Sequence, residues 1–221
     1  MITPLKTKVE MRNAKLVLWW VLVGEFIYAK LSLIGLSYFA FMLFSVAFSV
    51  LLIIFYYIIF LGFSKMAKYF HSMNLFWLFF LQFISSILFV VIDVYEQLFY
   101  YGIYNPASQY MSFIILLTIA TFTFAYGYFI MELPWKKFEY TLYRIRISNI
   151  TKAFLTVAVA YSSVVPRDNE LTTSLYPYTL LAYFVFIFIT TYYDYRLIST
   201  ALRLVGGVKL VDTPISRGRY L

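Results

Sequence analysis

Cysteine is absent from the chain, and histidine occurs once, as His71. The first absence excludes disulfides, iron–sulfur clusters, thiolate metal sites, thiol nucleophiles and palmitoylation. The second excludes bis-histidine haem ligation and a self-contained zinc site, and leaves His71 as a loop residue near lipid headgroups. Phosphate loops, dinucleotide fingerprints, nucleophile elbows and H-E-x-x-H helices are also missing. No cofactor or metal is therefore expected, and enzymatic activity is not the leading expectation. Charge is scarce too. Only 13% of residues are charged, whereas 63% are hydrophobic and the mean hydropathy is +0.81. A soluble domain carries about a quarter charged residues, so a surface this poor in charge must face lipid. The expected class is an all-α, polytopic integral membrane protein.

What is present counts the spans. From Leu16 to Phe63 the charges are Glu25 and Lys30 alone. A helix of that length would reach about 72 Å, over twice a hydrocarbon core of roughly 30 Å, so the segment must fold back once, around Gly35-Leu36-Ser37. This gives spans near 15–35 and 38–63, followed by a linker at Ser64–Lys68 and a third span near 75–98. Gly102, Asn105 and Pro106 mark a loop. The fourth span covers about 110–132 and stops at Pro134. The fifth covers about 149–166 and ends at Pro166. The sixth covers about 177–198, leaving a cytoplasmic tail at 199–221. No separable soluble domain interrupts this single transmembrane domain.

With six spans and an internal N-terminus, 16 of the 18 lysines and arginines fall on one side; Lys30 and Arg167 remain on the other. That asymmetry predicts both termini in the cytoplasm, the first span acting as an uncleaved anchor. The net charge of +8 then has a membrane explanation, and nucleic acid is not an expected partner.

Between Pro134 and Ile147, Trp135, Phe138, Leu142 and Ile145 recur at helical spacing. Lys136, Lys137, Tyr140 and Arg144 lie off that stripe. This pattern predicts a short amphipathic helix on the inner leaflet, with Trp135, Lys136, Lys137, Arg144 and Arg146 contacting lipid or a partner. Asn149-Ile150-Thr151 spells a glycosylation sequon but sits on the cytoplasmic side, and reads as the N-cap region of the fifth span. Asn105-Pro106-Ala107 spells the water-channel tripeptide; that fold needs a second copy, and none exists, so a plain turn is expected. The fifth span is rich in small residues (Ala153, Thr156, Ala158, Ala160, Ser162, Ser163), which allow close helix approach. It is the expected packing centre.

Ionisable groups at membrane depth are costly, by about 2.5–3.5 kcal/mol each on insertion scales. Glu25, Lys30, Asp93 and Glu96 form the candidate network, read either as a structural ion pair of Lys30 with Asp93 or Glu96, or as an ion pathway. The span interiors hold few glycines and few polar groups, chiefly Glu25, Gln82, Thr118, Thr121 and Thr123. Transporters commonly break their helices with Gly or Pro near the cargo. The first expectation is therefore a non-catalytic subunit or scaffold of a larger membrane complex, with membrane-protein partners or self-association. The alternative is a small ion or solute channel or transporter, possible as a homo-oligomer.

Single cysteines at Thr3, Asn105, Asn169 and Arg219 test the topology in this thiol-free chain. Positions 105 and 169 should react with an impermeant maleimide from outside intact cells, and positions 3 and 219 only after permeabilisation. External labelling of position 219 contradicts six spans.

Overall fold

The computed structural model describes residues 4–31, 38–99, 106–135, 139–164 and 170–205. Side chains are described throughout these segments apart from 4–6, 25–31, 38–41, 96–98, 106–109, 162–164, 170–177 and 180. Within them the chain is all-helical: α1 (Pro4–Leu31), α2 (Tyr38–Tyr69), α3 (Met73–Phe99), α4 (Pro106–Phe129), α5 (Glu139–Val164) and α6 (Glu170–Val205), with a short 3-10 turn at Ile130–Glu132. Segments this apolar must satisfy their backbone groups internally, which only a helix does within one segment. Their hydroxyls follow the same rule. Thr118, Thr121 and Thr123 donate to the carbonyls of Ile114, Leu117 and Ile119, four residues back. The stretches Met42–Tyr69, Met73–Tyr95 and Tyr110–Glu132 are each long and apolar enough to cross a membrane.

Each helix packs on its neighbours in sequence, and α6 returns to pack on α1. The result is a ring of up-and-down helices. Its closing seam is aromatic: the Trp19 ring lies 5.5 Å from Phe188 and 6.0 Å from Tyr195. One end of the ring gathers the start of α1, the α2–α3 turn, the α4–α5 connection and the end of α6. Contacts across that end define it. Lys65 Nζ is 3.8 Å from Glu10, and Asn74 Nδ2 donates to Glu132 Oε1 at 3.0 Å. Lys15 lies 4.6 Å over the Tyr195 ring. Every lysine and arginine with a described side chain lies toward this basic end, Lys152 being nearest the middle.

The main apolar core sits at the basic end as well. Met11, Met66, Leu75, Ile130, Ile145 and Ile198, drawn from all around the ring, are fully buried in one cluster. Outward faces are apolar on every helix, as at Trp20 (65% exposed), Phe154 (66%) and Leu181 (64%).

Several boundaries differ from expectation. The Ser64–Lys68 segment is helical, and α2 ends only at a C-cap in which Ser72 N–H donates to Ala67 O at 2.9 Å and His71 N–H to Lys68 O at 3.2 Å. His71 takes the left-handed conformation that such a cap requires, with φ 58°. The lysines here do not end the helix: Lys65 pairs with Glu10, and Lys68 lies 4.1 Å over Phe76. The separate interfacial helix at 134–147 and the span at 149–166 are instead joined, since α5 runs unbroken from Glu139 to Val164. Asn149 therefore caps nothing; it lies mid-helix, its Nδ2 donating to Ile145 O at 2.9 Å. The break falls earlier, where Leu133 ahead of Pro134 is extended, with ψ 130°. The sixth helix spans Glu170–Val205, so it includes Pro177 and the first residues assigned to the tail. Helix α5 lies between α4 and α6 and packs most extensively on α4, with Ala153, Thr156 and Ala160 buried and Ala158 exposed.

The α1–α2 crossing depends on Gly62. A Cβ there would overlap Ala14 Cβ and come within 3.0 Å of Glu10 O. Gly62→Ala should therefore lower stability by about 1–3 kcal/mol, the usual cost of overpacking. Adding Ala14→Gly should restore part of it. Thermal midpoints in detergent read both, and an unchanged Gly62→Ala midpoint contradicts the close crossing.

Candidate functional site

The ring is hollow above its core. All six helices line a cavity of about 450 Å³, within the range of small-molecule sites. Aromatic side chains such as Tyr56, Phe60, Phe83 and Phe89 supply much of its wall. Polar groups sit among them: Ser49 on α2, Gln82 and Ser86 on α3, Asn149 and Lys152 on α5, and Thr191 on α6. Two carboxylates complete the lining, Asp194 and Asp93.

Asp194 belongs to the end nearer the core. Tyr126 from α4, itself buried, donates its hydroxyl to Asp194 Oδ1 at 2.8 Å. Lys152 from α5 acts on the Asp194 charge through space. Three helices thus converge on one carboxylate, one ammonium and one phenol. Gly127 allows that approach, because any Cβ there would come within 2.9 Å of Arg146 O on α5. Beside the cluster the Tyr126 and Phe79 ring centroids are 5.3 Å apart. Asp93 lies fourteen residues beyond Phe79 on α3, about 21 Å further along the axis. The cavity therefore carries an acidic group toward each end, and a lysine toward the end closed by the core.

Of the expected network, Asp93 faces this cavity. The side chains of Glu25, Lys30 and Glu96 lie outside the described residues, as do Lys136 and Lys137, so a Lys30–Asp93 pair does too. The expected lipid-facing stripe turns inward instead. Trp135 is buried against Phe70, ring centroids 4.8 Å apart, and Leu142 and Ile145 are buried in the same core cluster. Folding back at Pro134 packs Trp135 against the α2–α3 turn and brings Leu142 and Ile145 into the core rather than onto a lipid surface. Arg144 and Arg146 remain outside, over the Tyr140 and Tyr128 rings at 4.3 and 5.7 Å. Thr118, Thr121 and Thr123 are engaged by their own helix and add little polarity to the interior.

Sequence reasoning missed the Tyr126–Lys152–Asp194 cluster, because its three residues lie on three helices distant in the chain. One signal was legible: Lys152 lies just inside the start of the predicted fifth span and Asp194 just inside the end of the sixth, at matching depth from one side. No protein-family model, curated protein or solved structure matches the chain.

The cluster makes a stability prediction. Tyr126→Phe leaves Asp194 short of one hydrogen bond and should cost about 1–3 kcal/mol. Lys152→Met should lower the thermal midpoint in detergent as well, and Lys152→Met with Asp194→Asn should recover most of that loss, because no unpaired charge remains. A Lys152→Met protein as stable as the parent would mean that lysine and carboxylate are not coupled.

Proposed function

We propose that the chain is a six-span membrane protein with both termini cytoplasmic, and that its ring binds and passes a small polar or charged solute. The observation that carries this reading is the cavity, an aromatic-walled hollow closed by the core at the basic end, with polar groups and the ionisable side chains of Asp93, Lys152 and Asp194 facing into it. Ionisable groups at membrane depth are expensive and are functional candidates by default. A scaffold subunit has use for the apolar outer faces but none for a polar hollow. Lipid covers those outer faces equally well, so they need no protein partner.

Two observations support the topology. All six helices expose apolar side chains outward, including Trp20 on α1, Phe154 on α5 and Leu181 on α6. The basic residues with described side chains gather toward one end, as positive-inside orientation requires. Helices α1, α5 and α6 carry more charge than α2–α4 because their basic-end turns extend past the hydrocarbon.

Purified protein reconstituted into liposomes tests the reading by light scattering after osmotic shock with glycerol, urea, choline chloride or potassium glutamate. The expected result is faster volume recovery than in empty liposomes for at least one of these solutes. Asp194→Asn should reduce that rate at least tenfold in protein that still elutes as a single species. Recovery no faster than in empty liposomes for all four solutes overturns the proposal.

A further inference from the structure

We infer that the outer surface of α5 and α6 at the basic end is a binding site for the headgroup of an anionic phospholipid. This goes beyond solute passage and rests only on the ring sitting in a bilayer.

The site is a continuous strip from two helices. Arg144 on α5 stacks over Tyr140 at 4.3 Å and hydrogen-bonds its hydroxyl, and the Tyr193 side chain on α6 is near enough to act on its charge. The Tyr193 ring lies 5.6 Å from that of Tyr192. Arg196 Nη1 in turn donates to the Tyr192 hydroxyl at 3.4 Å. Both arginines are exposed. Neither pairs with a carboxylate among the described residues; the nearest acids in sequence, Glu139 and Asp194, ion-pair with neither, and Glu10–Lys65 is the salt bridge found. A guanidinium has five donors in a planar fork, and one or two phenol contacts leave most of them unused. That fork matches a phosphate in two-point fashion.

What lies beside the strip selects a lipid as the source of the phosphate. Ile147 and Phe154 on α5 and Val185 on α6 are exposed on the side leading away from the basic end. A phosphate held by Arg144 and Arg196 would lay its acyl chains along those side chains. The strip also occupies the end whose charge predicts the anionic leaflet, where each basic group adds about 1 kcal/mol of attraction. Stacking on Tyr140 and Tyr192 holds the guanidiniums in place before the ligand arrives.

Titration of the purified protein in detergent with phosphatidylglycerol, read by thermal midpoint, tests the site. The midpoint should rise saturably, with little response to phosphatidylcholine or to inorganic phosphate. Arg144→Gln with Arg196→Gln should need at least tenfold more phosphatidylglycerol for the same rise. Arg12→Gln with Lys68→Gln, which removes equal charge from α1 and α2, should leave the titration unchanged. Should the glutamine pair fail to fold, Arg144→Lys with Arg196→Lys keeps the charge but not the fork, and should weaken the response several-fold. The site is refuted by a glutamine or lysine pair that titrates like the parent. An equal loss in the Arg12, Lys68 control would reduce the effect to general attraction, and an equal rise with inorganic phosphate would remove the lipid; either result overturns the inference.

Discussion

The contact between α6 and α1 is what turns a row of helices into a container. The contacts between neighbours in sequence would form equally in an open, curved row; α6 adds the closing ones, against α1 and more lightly against α2. Trp19 against Phe188 and Tyr195, with Lys15 over the Tyr195 ring, closes that row. Stacked and tilted aromatic pairs add roughly 0.5–1.5 kcal/mol each beyond area burial. In lipid, where apolar burial between helices gains little, such specific contacts carry more of the decision. Without closure Lys152, Asp194 and Asp93 would line an open groove instead of an enclosed cavity.

Packing is unequal along the ring axis. At the basic end, methionine, leucine and isoleucine side chains fill the interior, and Gly62 and Gly127 let backbones approach closely. Above that plug, bulky aromatic rings such as the stacked pair Phe60 and Phe83 line a hollow of about 450 Å³. Flexible aliphatic chains fill irregular gaps, whereas rigid rings of fixed outline leave space between them. Ion pairs and hydrogen bonds across the plug, Glu10 with Lys65 and Glu132 with Asn74, brace the end that closes the cavity.

The two surfaces of the ring divide the polar chemistry. Inside, Asp194 is served by Tyr126 and Lys152 from two other helices. Outside, arginines at the basic end are served by tyrosines rather than carboxylates. A phenol stabilises a cation without neutralising it, so the outer strip keeps its positive charge for a ligand while the inner cluster offsets its own. The many tyrosines of this chain thus act as hydrogen-bonding partners on both surfaces.

Helical class and membrane character follow from the sequence alone, because backbone satisfaction in lipid and the length of apolar runs leave little choice. Gly102, Asn105 and Pro106 marked a break, and α4 begins at Pro106, where proline suits a first helical turn. Ser64–Lys68 and Pro134–Ile147 were misread for one reason: local charge and local periodicity report the surroundings of a segment, not where its helix ends. Those ends were decided by the cap around His71 and by the extended residue ahead of Pro134. The inward turn of Trp135, the Tyr126–Lys152–Asp194 cluster and the Arg144–Tyr193–Tyr192–Arg196 strip were decided by tertiary structure. Each joins residues that are distant in the chain, and a hydrophobicity pattern records how polar a position is but not which helix faces it.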